Sequence, residues 1–280
     1  MLIEDQLLGL AERLVAVRGI TGVMLGGSRA RGEHTADSDV DLGLYYRPPL
    51  DVAGLRDLAR EVAGSQAEVT ERGEWGPWVD GGGWLRIADT AVDWLYRDLR
   101  RVHLSCQKAR EGRVDFHFQV AHPMGVLETS YAGEVALGVV LADPSGELSA
   151  LKQQVATYPT ALGDALVARL WEAGFILDAL PKAASRGDTV YVAGCLFRVV
   201  ELCVYALHGR AGRWLINEKG AVASAGRLPQ APTDFVRRAN DVLAHLGAES
   251  HELSAAITRA ADLLIDVRDA CTGRNSQRRK

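Results

Sequence analysis

The chain reads as an α+β protein in two parts, a small mixed sheet flanked by helices and then a bundle of helices, and three observations point to this. In the first half, apolar residues fall in short runs bounded by glycine and proline, the pattern of strands and turns. After about residue 148 they recur every three or four positions over long segments, the pattern of packed helices. Between the two lies ADPSGE (142–147), where proline and glycine break both patterns. A length of 280 residues exceeds one ordinary domain of roughly 100–200 residues, so two cores are expected. We place a sheet domain at 1–146, a helical domain at 147–273 and a flexible basic tail at 274–280.

Each element follows in order. Leu7, Leu10, Leu14 and Val15 share one face of a helix that Gly19 stops. The apolar run 23–25 is a strand entering a glycine turn, with a short helix over 28–31, and SDVDLGLYY (38–46) is a second strand closed by Pro48 and Pro49. A helix over 51–63 follows, then a tryptophan-rich and glycine-rich stretch, a third strand at 92–96 and a helix over 99–112. FHFQVAHP is strand-like. The second half resolves into LSALKQQVATY, ALGDALVARLWEAGFILDALPKA, VYVAGCLFRVVELCVYALHG, DFVRRANDVLAHLG and HELSAAITRAADLLIDVRDAC, all helical.

Composition excludes several classes. Hydrophobic residues at 48% and charged ones at 24% match globular averages, so disorder is not expected outside the ends. Cys106, Cys195, Cys203 and Cys271 contain no C-x-x-C pair, which argues against a zinc site or a disulfide framework and for a reducing compartment. MLIEDQLLGLAERL is acidic where a signal peptide is basic, and no apolar run approaches the roughly 20 residues that cross a bilayer. A cytoplasmic protein without membrane attachment is expected. A net charge of −4 speaks against an extensive nucleic-acid surface, because that binding neutralises many phosphates with Lys and Arg.

The chemistry concentrates in GGSRARGEHTADSDVDL (26–42). Residues two apart on a strand share a face, so Asp39 and Asp41 present their carboxylates together while Val40 and Leu42 turn to the core. Two adjacent carboxylates raise each other's proton affinity, and a cation relieves that. Magnesium suits such a pair, since it takes one or two carboxylates and completes its shell with water and phosphate oxygens. Two such ions about 4 Å apart would stabilise the attacking and leaving oxygens of phosphoryl transfer. The 26–28 turn supplies backbone N–H groups for a phosphate: Gly26 and Gly27 permit close approach, and Ser28 opens the short helix. Of the two arginines there, Arg31 is favoured to face inward and Arg29 to be a solvated charge.

Gly27-Ser28-x-Ala30-Arg31-Gly32 followed by Ser38-Asp39-x-Asp41-Leu42 resembles the signature of the DNA polymerase beta-type nucleotidyltransferase superfamily, which includes the aminoglycoside, lincosamide and minimal nucleotidyltransferases. The resemblance covers the first half of the chain. It implies a third carboxylate on a neighbouring strand, for which TAVDWLYRD offers Asp93 in an apolar run, where a charge needs a strong partner. Asp98 is the rival, with an ordinary reading as a helix cap, and Asp89 reads as a turn residue. In such enzymes Gly26, Gly27 and Ser28 would hold the β- and γ-phosphates. Asp39 and Asp41 would ligate both metals, and Asp93 would touch the catalytic metal and help activate the acceptor hydroxyl. ATP is the expected donor. Lys219 would reach the triphosphate from the helical domain, against the alternative that Lys219-Gly220 is a helix ending.

Other residues carry weaker signals. Glu201, in an apolar helix, is either a general base or, favoured, a partner of Arg198 three residues earlier. His34 reads as exposed, and His117 and His122 lack companions at ligand spacing. Trp75, Trp78, Trp84 and Trp94 are either an aromatic wall for a base or sugar or, favoured, core and hairpin packing. The function expected is transfer of a nucleoside monophosphate to a hydroxyl of a small molecule, an aminoglycoside-like antibiotic being one example. The alternatives are a protein or tRNA acceptor, and a nucleotide-binding module without turnover.

Overall fold

A computed structural model describes residues 4–35 and 37–273 of the chain. The tail expected at 274–280 lies outside the described residues. The chain forms two compact units, one of residues up to Lys108 with Asp115–Thr157, the other of Ala109–Val114 with the residues from Tyr158 onward.

In the first unit, α1 (Glu4–Val15) leads into β1 (Ile20–Leu25), the single-turn α2 (Gly27–Ala30) and β2 (Val40–Tyr46). Then come α3 (Val52–Ala63), β3 (Gly82–Ile87), β4 (Thr90–Asp98), α4 (Leu99–Arg110), β5 (Phe116–Gln119), β6 (His122–Leu127), α5 (Ser130–Leu137), β7 (Val139–Ala142) and α6 (Glu147–Gln154). Local chemistry sets several ends. Asp51 caps α3 by accepting from Gly54 N at 3.0 Å, and Asp98 opens α4 by accepting from Arg100 N at 2.9 Å. Asp98 is thus occupied as a helix cap, and Ala88 and Asp89 turn the β3–β4 hairpin at positive φ.

Five strands pair in the order β3-β4-β2-β1-β7, and β5 pairs with β6 apart from them. The β2–β4 pairing is parallel and the others are antiparallel, so the sheet is mixed, as the sequence predicts. Strand alternation divides its faces. Val40, Leu42, Leu44 and Tyr46 of β2, with Val92, Trp94 and Tyr96 of β4, pack into one core with Leu14 of α1 and Leu55 of α3. Burying each such side chain contributes about 1.5–3 kcal/mol. The other face carries the intervening residues, including Asp41 and Asp93.

The expected boundary at 142–147 falls inside this unit. Leu148 and Leu151 of α6 are buried, and Leu148 Cδ1 fills the space over Gly22 of β1. Lys152 donates to Ala136 O at 2.9 Å and to Val135 O and Gly138 O, tying α6 to the end of α5. A break in periodicity marks a turn here, and packing carries the unit past it.

The second unit is helical: α7 (Thr160–Ala168), α8 (Leu170–Ala179), α9 (Pro181–Ala184), α10 (Thr189–Ala211), α11 (Ala221–Gly226), α12 (Phe235–Ala244) and α13 (Ser250–Thr272). The single helix expected over ALGDALVARLWEAGFILDALPKA is broken into α7, α8 and α9 at Arg169 and Leu180. Contrary to the expectation that no apolar run nears bilayer length, α10 is long and apolar enough to span one by length and composition. Here it is the central core helix of its unit, mostly buried, touching α7, α8 and α13. Gly163 and Gly209 let the α7 and α10 backbones meet, since a Cβ on either would stand within about 3 Å of the other's carbonyl oxygen.

Candidate functional site

The site grows from the β1–α2–β2 turn. Gly26 N donates to Asp41 O at 2.8 Å, which fastens the turn to β2. Gly27 has φ +62°, and a Cβ there would stand 1.7 Å from Asp41 Oδ2. The Asp41 carboxylate therefore lies directly against the glycine turn. Ser28 sits in α2, half-buried. The short helix spans Gly27–Ala30, one residue earlier than expected.

Asp41 and Asp93 are register partners across the parallel β2–β4 ladder. Adjacent strands lie about 4.8 Å apart, so the two side chains stand next to each other on one face. Both are half-buried. Asp39 departs from the expectation: β2 begins at Val40, so Asp39 lies just outside the strand and is exposed. It is nonetheless close enough to act on Asp41. Burial pushes the Asp41 carboxyl above its ordinary range, Asp39 and Glu134 push it the same way, and Arg97 and Arg31 pull it back.

Both arginines of the turn differ from expectation, Arg31 being exposed rather than turned inward. Arg29 is not a solvated charge: its Nη2 and Nε donate to Ser38 O at 2.6 and 3.2 Å, and Nε also to Asp39 O at 3.1 Å. It holds the loop that delivers Asp39, and its claim on these carbonyls goes with β2 starting at Val40, two residues later than expected. Arg31 pairs with Glu33, Nε to Oε2 at 2.8 Å, while its charge reaches Asp41.

Two residues the sequence reading did not single out complete this face. Arg97, four positions after Asp93 and 5% exposed, forms a forked pair with Glu134 of α5, Nε–Oε2 2.6 Å and Nη2–Oε1 2.9 Å. Burial opposes the Arg97 charge, but Glu134 and Tyr131 more than offset it and hold the guanidinium firmly ionised. Asp93 and Arg97 stand four apart in β4, hence on one face of the strand, and that spacing was the available signal. Glu134, in an otherwise apolar helix, gave none of comparable strength.

Asp39, Asp41 and Asp93 thus occupy one end of β2 and β4. Among the described residues no three His, Cys, Asp or Glu side chains are gathered to hold a metal ion as they stand. The chemistry of the set nonetheless suits a divalent cation. Oxygen donors are what magnesium takes, and the Asp41 carboxyl is held above its ordinary range partly by Asp39, a condition a nearby cation relieves.

Lys219 and Glu201 lie in the second unit. Lys219 is in the connection between α10 and α11, its N–H donating to Asn217 Oδ1 at 3.0 Å. Gly220 opens α11 with φ +68° rather than ending a helix. Glu201 is not paired with Arg198, whose Nε is bonded to Glu172 of α8. Glu201 is 3% exposed with Oε2 unbonded, and burial first, then Glu218, pushes its carboxyl up to about 7. Of the tryptophans, Trp94 is core, Trp78 stacks on His117, and Trp75 stacks on Trp84. His34 is exposed, as expected.

Residues 6–78 match the family model described as a nucleotidyltransferase domain, which includes the turn, Asp39 and Asp41. Residues 127–219 match one described as a domain of unknown function, DUF4037. Asp93 lies between the two spans. None of the curated proteins compared with the chain matches it. Among solved structures the chain is similar to a nucleotidyltransferase-like protein from Exiguobacterium sibiricum 255-15, with 13% identity and a TM-score of 0.46 over 99% of this chain and 81% of that one. Likeness at that level does not extend to the roles of residues.

Proposed function

We propose that this chain, whose residues 6–78 match the nucleotidyltransferase-domain model, is a nucleotidyltransferase of the DNA polymerase beta type that moves a nucleoside monophosphate from a nucleoside triphosphate to a hydroxyl of a small molecule. The donor is ATP and the setting the cytoplasm. The observation that carries the reading is the register of Asp41 with Asp93, with the Asp41 carboxylate against the Gly27 turn.

Asp39, Asp41 and Asp93 would hold magnesium, which when bound supplies charge neutralisation for the phosphate oxygens. The rest falls to the chain's own groups. The N–H groups of Gly27 and Ser28 and the Ser28 hydroxyl bind the β- and γ-phosphates, Gly26 N–H being engaged by Asp41 O, and Arg31 adds positive charge beside them. Asp93 orients the acceptor hydroxyl and accepts its proton. The acceptor oxygen bonds to the α-phosphorus, the bond from that phosphorus to the bridging oxygen breaks, and pyrophosphate leaves in line. Positioning and electrostatics provide most of the rate.

Asp41→Asn tests this. Pyrophosphate release should fall at least about a hundredfold, the scale seen when one preorganised electrostatic group is lost. Circular dichroism and Tm should be preserved, because the amide fills the same volume. Undiminished release from a folded variant would overturn the mechanism.

A further inference from the structure

The row that carries Asp41 and Asp93 has a third member. Across the antiparallel β3–β4 ladder Trp84 stands opposite Asp93, and residues opposite each other in such a pair point to the same face. Leu85 and Ile87 of the same strand are in the core, whereas Trp84 is 73% exposed. Leaving most of an indole in water forgoes one of the largest apolar burials a side chain can make. An exposed aromatic alone is ordinary; this one is organised.

Trp84 stacks on Trp75 with ring centroids 4.5 Å apart and planes 19° from parallel. The Trp75 ring lies over β3, its Cζ3 3.0 Å from where a Cβ of Gly82 would be. Gln119, 3% exposed, clamps the Trp75 backbone: its amide nitrogen donates to Trp75 O, and its carbonyl accepts from Trp78 N and Val79 N at 2.9 and 3.0 Å. Trp75 therefore backs Trp84 on one side, while much of the Trp84 indole stays open to solvent one strand from Asp93.

We propose that Trp84, backed by Trp75, is a stacking platform for a planar heteroaromatic ring of the acceptor. The proposal rests on the nucleotidyl-transfer reading above. There the triphosphate lies at the 26–28 turn, on the β1 side of Asp41, and in-line displacement brings the acceptor from the side away from the leaving pyrophosphate. The order β3-β4-β2-β1-β7 puts Trp84 on that far side. One strand step is about 4.8 Å, so a ring on Trp84 holds a hydroxyl a few bonds away within reach of Asp93. The acceptor class this selects is a hydroxylated molecule with a flat ring, such as a nucleoside unit, because every base offers a π-face to an indole. A saturated aminocyclitol leaves the platform unused.

The test is titration of the full chain with adenosine and uridine at millimolar concentration, without magnesium or triphosphate, reading tryptophan fluorescence, with sucrose as the saturated control. The nucleosides should quench saturably and sucrose should not. Trp84→Ala should weaken nucleoside binding at least tenfold, and Trp84→Phe should restore most of it. Equilibrium dialysis of magnesium–ATP should give the same Kd for Trp84→Ala and the parent. Nucleoside quenching that is absent in the parent, or undiminished in Trp84→Ala, would overturn the proposal. An equal loss of magnesium–ATP binding in Trp84→Ala would overturn it too, by moving the platform to the donor base. If the parent binds nucleosides through Trp84 but never binds magnesium–ATP, the nucleotidyl-transfer reading fails and the stacking site stands.

Discussion

At Gly27 a single methyl group separates the turn seen here from one that cannot form. The position combines φ +62° with an Asp41 oxygen 1.7 Å from any added Cβ. Gly27→Ala must strain the backbone and displace a carboxylate together, so it should destabilise the chain by more than about 1 kcal/mol in urea unfolding and abolish pyrophosphate release. A variant as stable and as active as the parent would contradict the geometry. The Arg97–Glu134 pair is the second sensitive point. Glu134→Gln leaves the buried guanidinium without its counter-charge and should cost about 3 kcal/mol, measured by the same unfolding curves. Asp93 stood out in the sequence because a charge interrupts an apolar run. The partnership of Arg97 with Glu134, 37 positions apart, has no such local mark.

Among the elements, β2 and α10 show how far periodicity reaches. Alternation correctly turns Asp41 away from the core and Val40 and Leu42 into it. It extends the strand two residues too far, to Ser38, where hydrogen bonds from Arg29 to the Ser38 and Asp39 carbonyls take over. In α10 the helical spacing is sound, but the i,i+3 pairing of Arg198 with Glu201 is not, since Arg198 bonds across to α8. Glu201 thus stays buried, its carboxyl raised from 4.5 to about 7 chiefly by loss of solvent. The folded value is above the unfolded one, so the stability tied to this group is complete below pH 4.5 and is lost as pH rises through about 7. Glu201→Gln should be more stable than the parent at about pH 8, by on the order of 1–3 kcal/mol, and should lose that advantage in acid. Thermal unfolding of both proteins across this range checks it, and a parent with no pH dependence there would contradict the assignment.

On the scale of the whole molecule, the 26–28 turn, Asp39, Asp41, Asp93 and Trp84 all belong to the sheet unit. Magnesium–ATP at a hundredfold excess over its Kd should add about 2.7 kcal/mol to the stability of the folded chain. Slowed hydrogen exchange should appear in β1, β2 and β4, and slowing confined to α10 and α13 would contradict this placement. The sequence by itself determined the two-part organisation, the glycine turn and the facing of Asp41, because these follow from spacings of a few residues along one segment. Tertiary structure alone decided that β4 lies beside β2 in a register matching Asp93 to Asp41 and Trp84 to Asp93. It also decided that Ala109–Val114 joins the helical unit, and that Glu201 has no arginine. These relations join segments distant in the chain, and the packing of an entire core selects them, so no local period records them.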